Sequence, residues 1–228
     1  MEERVIVALD LPSYKEAERI VEPLSGLIKI LKVGPVLFIS EGPKVIEKLR
    51  KRGFSVMLDL KFFDIPKTVE RACRAISNLD IDFFTLHIAG GKEMIEAAIK
   101  GVRGKAEPIG VTILTSQKRK EEDIIQLARE GKEAGLNSFV CSPLEVKGIK
   151  EDLGKNISCL CPGIRTSEIM EDDQKRVLSP KEAIEEGADY IIIGRPIINS
   201  PSPGRVVEEI ISEIKCETTR LHRLSQKK

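Results

Sequence analysis

Charge of one sign is what this chain lacks most plainly: 37 Lys and Arg stand against 36 Asp and Glu, a formal net charge of +1. A balanced chain has no global basic field for nucleic acid and no acidic excess of the kind that favours disorder, so any anion site has to be local. Long hydrophobic runs are missing too. No stretch approaches the roughly 18 apolar residues of a membrane span, and the opening Met-Glu-Glu-Arg leads straight into an apolar strand, so neither signal peptide nor anchor is expected. The expected location is the cytoplasm, with no nucleic-acid or membrane partner. The five cysteines (Cys73, Cys141, Cys159, Cys161 and Cys216) form no Cys-x-x-Cys pair and are odd in number, which argues against a disulfide framework. Cys159 and Cys161 share one side of a predicted strand. With only two histidines in the chain, and neither nearby in sequence, they read as packed thiols ahead of soft-metal ligands. Repeats, low-complexity tracts and interdomain linkers are also absent.

What is present is alternation. At 228 residues and 41% hydrophobic, the chain is long enough for one full core. Short β-rich apolar runs at residues 4–9, 29–33, 55–60, 83–87, 108–112, 138–141, 158–161 and 190–193 are each followed by helical periodicity. These helices are expected near residues 13–24, 43–51, 66–77, 92–100, 121–134, 144–151, 180–186 and 205–215. Eight evenly spaced βα units close most naturally into a (β/α)8 barrel, with a doubly wound open sheet as the alternative. The expected division is a barrel over residues 1–215 and a basic, frayed tail over 216–228. Two loops break the rhythm on the face where barrels place chemistry: a charged excursion at 117–122, and a longer polar one at 163–179 that carries Arg165, Gln174, Lys175 and Arg176.

The densest charge lies in Asp59-Leu-Lys-Phe-Phe-Asp-Ile-Pro-Lys-Thr68, where an apolar strand ends. Side chains at i and i+2 of a strand share a face, so Asp59 and Lys61 are expected to project together, with Asp64 past the strand end in a loop able to turn back toward Lys61. Buried charges persist only when paired, and acid, base and acid in alternation would hold a lysine aimed. Asp10 ends the first strand and Lys32 lies near the end of the second. Either alone reads equally well as a solvated loop charge, but four charges closing three consecutive strands on one face do not. Gly194-Arg195 after strand eight and Pro162-Gly-Ile-Arg165 after strand seven stand where barrels commonly bind phosphate. His87 ends strand four and reads first as a structural histidine, placed to orient a carboxylate.

These residues together resemble the orotidine 5′-phosphate decarboxylase family. The resemblance rests on Ala8-Leu-Asp10, Lys32-Val-Gly34, Asp59-Leu-Lys-x-x-Asp-Ile-Pro-x-Thr68, Thr85-x-His-x-x-Gly-Gly91, Leu114-Thr-Ser116, Pro162-Gly-Ile-Arg165, Asp173-Gln174 and Ile193-Gly-Arg195. It runs from about residue 4 to residue 215. Phe63 and Lys67 stand where bacterial members commonly carry His and Asn. The resemblance implies a single (β/α)8 TIM barrel of the phosphate-binding type that converts orotidine 5′-phosphate to UMP and CO2 with no cofactor and no metal. It implies that Asp59 lies against the departing carboxylate while Lys61 stabilises and protonates the C6 carbanion. Asp64 and Thr68 would be contributed across a homodimer interface. Asp10 and Lys32 would contact ribose, with Lys32 also in the charged network, and Thr115 or Ser116 would read the pyrimidine edge. Gln174 would bridge base and phosphate, Pro162 would line the substrate, and Arg165, Gly194 and Arg195 would receive the phosphate. Two other readings compete: a magnesium-dependent sugar-phosphate lyase or aldolase with Asp59 and Asp64 as metal ligands, and a catalytically silent nucleotide-binding barrel.

Overall fold

The structure, a computed structural model, describes residues 4–114, 119–165 and 178–225, with backbone alone from residue 216. Its strands are rich in Val and Ile because a parallel sheet covered on both faces needs apolar, β-branched residues at nearly every position. They are β1 (Val5–Ala8), β2 (Ile30–Val33), β3 (Ser55–Phe62), β4 (Phe83–His87), β5 (Glu107–Val111), β6 (Ser138–Val140), β7 (Ser158–Cys161) and β8 (Tyr190–Ile193). All pair in parallel in chain order, and the ring closes with Val5 opposite Ile191 and Val7 opposite Ile193. The open sheet is excluded.

Around the barrel run α1 (Tyr14–Val21), α2 (Pro35–Glu41), α3 (Lys44–Lys51), α4 (Pro66–Ile76), α5 (Lys92–Val102), α6 (Glu121–Glu133), α7 (Val146–Leu153), α8 (Pro180–Glu185), α9 (Arg195–Ile198) and α10 (Pro203–Ser225). Start signals are local. The Ser13 side chain accepts the Glu16 amide at α1, and at α8 Ser179 and Glu182 form a reciprocal capping box ahead of Pro180.

Helices α2, α9 and α10 depart from the sequence reading, the four-residue α9 standing directly after β8 where no helix was expected. Helix α2 was not foreseen, because its apolar residues do not form a single buried stripe: Leu37 is buried while Val36 and Ile39 are exposed. Helix α10 continues to Ser225, past the end expected at residue 215, so the basic stretch assigned to a frayed tail carries helical backbone for most of its length.

The period-2 alternation of each strand separates two cores. Ile6, Ala8, Ile30, Met57, Ile109, Val111, Val140, Leu160 and Ile192 fill the barrel interior. Val5, Val7, Leu31, Val33, Val56 and Leu58 point outward into the layer beneath the helices, and Cys141, Cys159 and Cys161 lie buried in that same layer. The thiols are therefore packing groups, and burial pushes that of Cys73 up to about 12. On the inner face, counting on by two from Ile6 and Ala8 reaches Asp10, from Ile30 reaches Lys32, from Met57 reaches Asp59, and from Ile192 reaches Gly194. One periodicity thus fills the barrel with hydrocarbon and crowns its C-terminal end with charge.

Candidate active site

The crown surrounds a cavity of about 610 Å3, within the usual size range of a small-molecule site. Asp10, Lys32, Asp59 and Lys61 line it from the ends of β1 to β3, and Pro162, Gly163, Arg165, Gly194 and Arg195 from the ends of β7 and β8, the latter adjoining β1. Met57, Val111, Val140 and Ile192 form part of its apolar lining. Ion pairs, two arginines and two glycines thus share one cavity with hydrocarbon.

Asp59 is the hub of the charged side. Its Oδ2 lies 2.9 Å from Lys32 Nζ, and Lys61 Nζ donates to Oδ1 at 2.8 Å and Oδ2 at 2.9 Å. Lys32 Nζ also reaches Asp10 Oδ1 at 3.4 Å, so the four charges form one chain from β1 to β3. Burial alone would raise the Asp59 carboxyl, but the adjoining Lys32 and Lys61 ammoniums outweigh it and hold the group at about 2. For Lys32, burial works to lower the value and Asp59 and Asp10 prevail, raising it above the ordinary lysine range. A glycine makes the Asp10–Lys32 pair possible: a Cβ at Gly34 would lie 2.5 Å from Asp10 Oδ1.

Lys61 departs from regular strand geometry. Its φ is +49°, in the left-handed region that residues bearing a Cβ avoid, and the β3–β4 register shifts between Leu58 and Phe62. The sequence reading ended β3 at Leu60, yet the strand runs through the irregularity to Phe62. Thr85, on β4, accepts the Lys61 amide at 2.9 Å and donates to Asp59 Oδ1 at 2.8 Å. Sequence reasoning assigned no role to Thr85. The signal was available, since Phe83, Thr85 and His87 share an inward face by alternation.

Asp64 does not turn back on its own chain. Its Oδ1 accepts the Ile65 amide at 2.7 Å at the entrance to α4, it is exposed, and no ion pair joins it to Lys61. Thr68 sits, also exposed, in the first turn of α4. His87 meets the Phe63 ring edge-on at 5.8 Å between centroids, where a carboxylate partner was expected. Burial, and then the Lys61 charge, lower its pKa and favour neutral imidazole. Beside the cavity the Arg165 amide donates to Leu178 O at 3.0 Å, and Ile164 bridges Leu178. Thr115, Ser116 and Gln174 lie outside the described residues, as do Lys175 and Arg176.

Comparison with known proteins agrees with this architecture. Residues 3–210 match the family model for orotidine 5′-phosphate decarboxylase / HUMPS. A Lawsonia intracellularis protein named orotidine 5′-phosphate decarboxylase is 44% identical over 227 residues, covering 92% of this chain and 99% of the relative. A Carboxydothermus hydrogenoformans protein of the same name is 42% identical over 233 residues, covering 94% and 97%. Among solved structures, orotidine 5′-phosphate decarboxylase from Lactobacillus acidophilus superposes with a TM-score of 0.80 at 34% identity, covering 93% of this chain and 99% of that one. An uncharacterized conserved protein from Geobacillus kaustophilus gives 0.80 at 33% identity, with 92% and 99% covered. With its matches running nearly end to end and its barrel carrying the charged crown, the chain belongs to the orotidine 5′-phosphate decarboxylase / HUMPS family.

Proposed function

We propose that this chain decarboxylates orotidine 5′-phosphate to UMP and CO2 in pyrimidine biosynthesis, with Lys61 supplying the proton. Family membership supports a decarboxylase, a carbon-carbon lyase. The observation that carries the specific reading is Asp59 held between the Lys32 and Lys61 ammoniums in the same cavity as Arg165, Gly194 and Arg195.

In this reading the phosphate dianion is received by Arg165, the Gly194 backbone and Arg195, while Asp10 and Lys32 hold the ribose. Pro162 lines the substrate, and Thr115 or Ser116 together with Gln174 complete contacts to base and phosphate. The pyrimidine then presents its C6 carboxylate to Asp59. Asp59, with its pKa near 2, stays charged at neutral pH, and one carboxylate fixed beside another disfavours the bound substrate. The C6–carboxylate bond breaks with its electron pair left on C6, and CO2 departs. The Lys61 ammonium stabilises that pair as it forms and transfers a proton to C6; solvent returns a proton to the amine. Phosphate contacts far from C6 contribute binding energy that organises the reacting end, the general means by which remote groups raise kcat.

The proposal includes a homodimer with the partner subunit's Asp64 and the partner subunit's Thr68 completing each site. Support comes from the exposure of Asp64 and from the apolar surface beside it. Ile39 is 81% exposed, Phe63 62% and Ile65 66%, all on segments that follow the adjacent strands β2 and β3. Exposed apolar side chains on the two residues flanking Asp64 fit a contact surface there.

The test is to incubate purified protein with orotidine 5′-phosphate in excess chelator and follow loss of the orotate absorbance together with UMP formation. Turnover under chelator supports the reading. Stable substrate in the presence of a folded protein overturns it, and turnover that depends on added magnesium moves the site to metal-assisted chemistry at Asp59 and Asp64.

A further inference from the structure

We propose that Thr85 is a positioning residue, its single hydroxyl locking the Asp59 carboxylate and the left-handed backbone of Lys61 into one geometry. The inference rests on the decarboxylase reading for its catalytic consequence and on geometry for its substance.

Thr85 is fully buried at the centre of β4. A buried hydroxyl needs partners, and this one has two: it donates to Asp59 Oδ1 at 2.8 Å and accepts the Lys61 N–H at 2.9 Å. The second bond stands where the strand ladder fails. Leu58 pairs with Phe84 and Phe62 pairs with Leu86, so β3 carries two more residues than β4 over this span. The surplus has to bulge, and backbone amides in a bulge lose their carbonyl partners. Thr85 supplies a side-chain acceptor in place of the missing carbonyl, at the residue whose φ of +49° most needs restraint.

The first bond matters for a different reason. Lys61 Nζ and Thr85 Oγ1 both bond Asp59 Oδ1, while Lys32 Nζ and Lys61 Nζ both bond Oδ2. Two ammoniums on long, rotatable side chains restrain rotation of the carboxylate about its Cβ–Cγ bond less firmly than a hydroxyl set on a strand. A hydroxyl anchored on the neighbouring strand fixes Oδ1 toward β4 and leaves Oδ2 to Lys32, with Lys61 spanning both oxygens. Backbone and side chain of the reacting pair are thereby referred to one atom of β4, so a small displacement of Thr85 misaims both.

The experiment compares wild type, Thr85→Val, which keeps the shape and removes the hydroxyl, and Thr85→Ser, which keeps the hydroxyl. Thr85→Val is expected to lower kcat for orotidine 5′-phosphate about tenfold to a hundredfold, with KM within about threefold of wild type. Thr85→Ser should recover kcat to within about fivefold of wild type, as a retained hydroxyl requires. Amide exchange of Lys61, read by NMR, should accelerate about tenfold or more in Thr85→Val relative to Met57 and Leu58 on the same strand, because only its acceptor is gone. Wild-type kcat in Thr85→Val, a Thr85→Ser variant as impaired as Thr85→Val, or uniform acceleration along β3 would each overturn the assignment. If wild type itself fails to turn over orotidine 5′-phosphate, the decarboxylase reading falls, and the Lys61 exchange result still decides whether Thr85 holds this geometry.

Discussion

Asp59 illustrates at the scale of a residue how burial and pairing oppose each other. Removing its carboxylate from water favours the neutral acid, yet two ammoniums within 3 Å bring its pKa down from 3.8 to about 2. A folded-state value below the unfolded one means that the unfolded chain binds more protons between the two, so this stabilisation is present above about pH 4 and is lost as pH falls toward 2. Relative to Asp59→Asn, the wild type should lose roughly 1 kcal/mol of unfolding free energy between pH 6 and pH 3, read by urea titration at each pH. A difference that stays constant, or grows in favour of the wild type as pH falls, would contradict the pairing. Arg195 makes a separate prediction. It is exposed on the cavity rim, where a charge-assisted contact counts only when its anion is present. Arg195→Ala should weaken UMP binding about tenfold to a hundredfold and leave uridine binding nearly unchanged, as calorimetry would show. Equal losses for both ligands would make Arg195 a structural residue.

Among the elements, α4 and α5 pack more closely than side chains ordinarily permit. A Cβ added at Gly101 of α5 would lie 2.5 Å from the Glu70 carbonyl oxygen and 2.8 Å from Cys73 Cβ, both on α4. Alanine gains about 1 kcal/mol over glycine in helix propensity, but overpacking against backbone costs about 1–3 kcal/mol, and a carbonyl within a helix cannot swing aside. Gly101→Ala should therefore be destabilised on balance, measurable as a lower urea midpoint with an unchanged m-value; a higher midpoint would show that the helices separate freely. Regular elements of this kind were legible in the sequence. The apolar, β-branched runs at Val5–Ala8 and Tyr190–Ile193 located strands almost to the residue, because a strand covered on both faces is apolar at nearly every position and ends where polar residues resume. Helix α2 was not legible, since its exposed Val36 and Ile39 answer to something other than this chain's core. The bulge at Lys61 was equally hidden: residues at i and i+2 were expected to meet through ordinary strand geometry, and they meet with Lys61 itself in the left-handed region and its amide held from β4. Local spacing carries no record of a partner 24 positions away.

At the scale of the molecule, the same distinction separates what one chain completes from what it does not. Asp10, Lys32, Asp59 and Lys61 assemble within a single barrel, whereas Asp64 bonds its own neighbouring amide and faces outward beside Phe63 and Ile65. If each site is shared in a closed two-fold pair, mixing Lys61→Ala with Asp64→Ala and allowing subunits to exchange should restore activity. Each heterodimer then holds one intact site and one that collects both defects. Exchange demonstrated by tagging, without activity above the two separate mutants, would place Asp64 in its own chain's site. The central claim, that the Lys61 ammonium beside Asp59 stabilises and protonates the C6 carbanion, is tested most directly by the kcat of Lys61→Ala on orotidine 5′-phosphate, with UMP affinity measured on the same protein. The account predicts that decarboxylation is almost abolished while UMP still binds; turnover within about tenfold of wild type, roughly 1.4 kcal/mol of barrier, would contradict it.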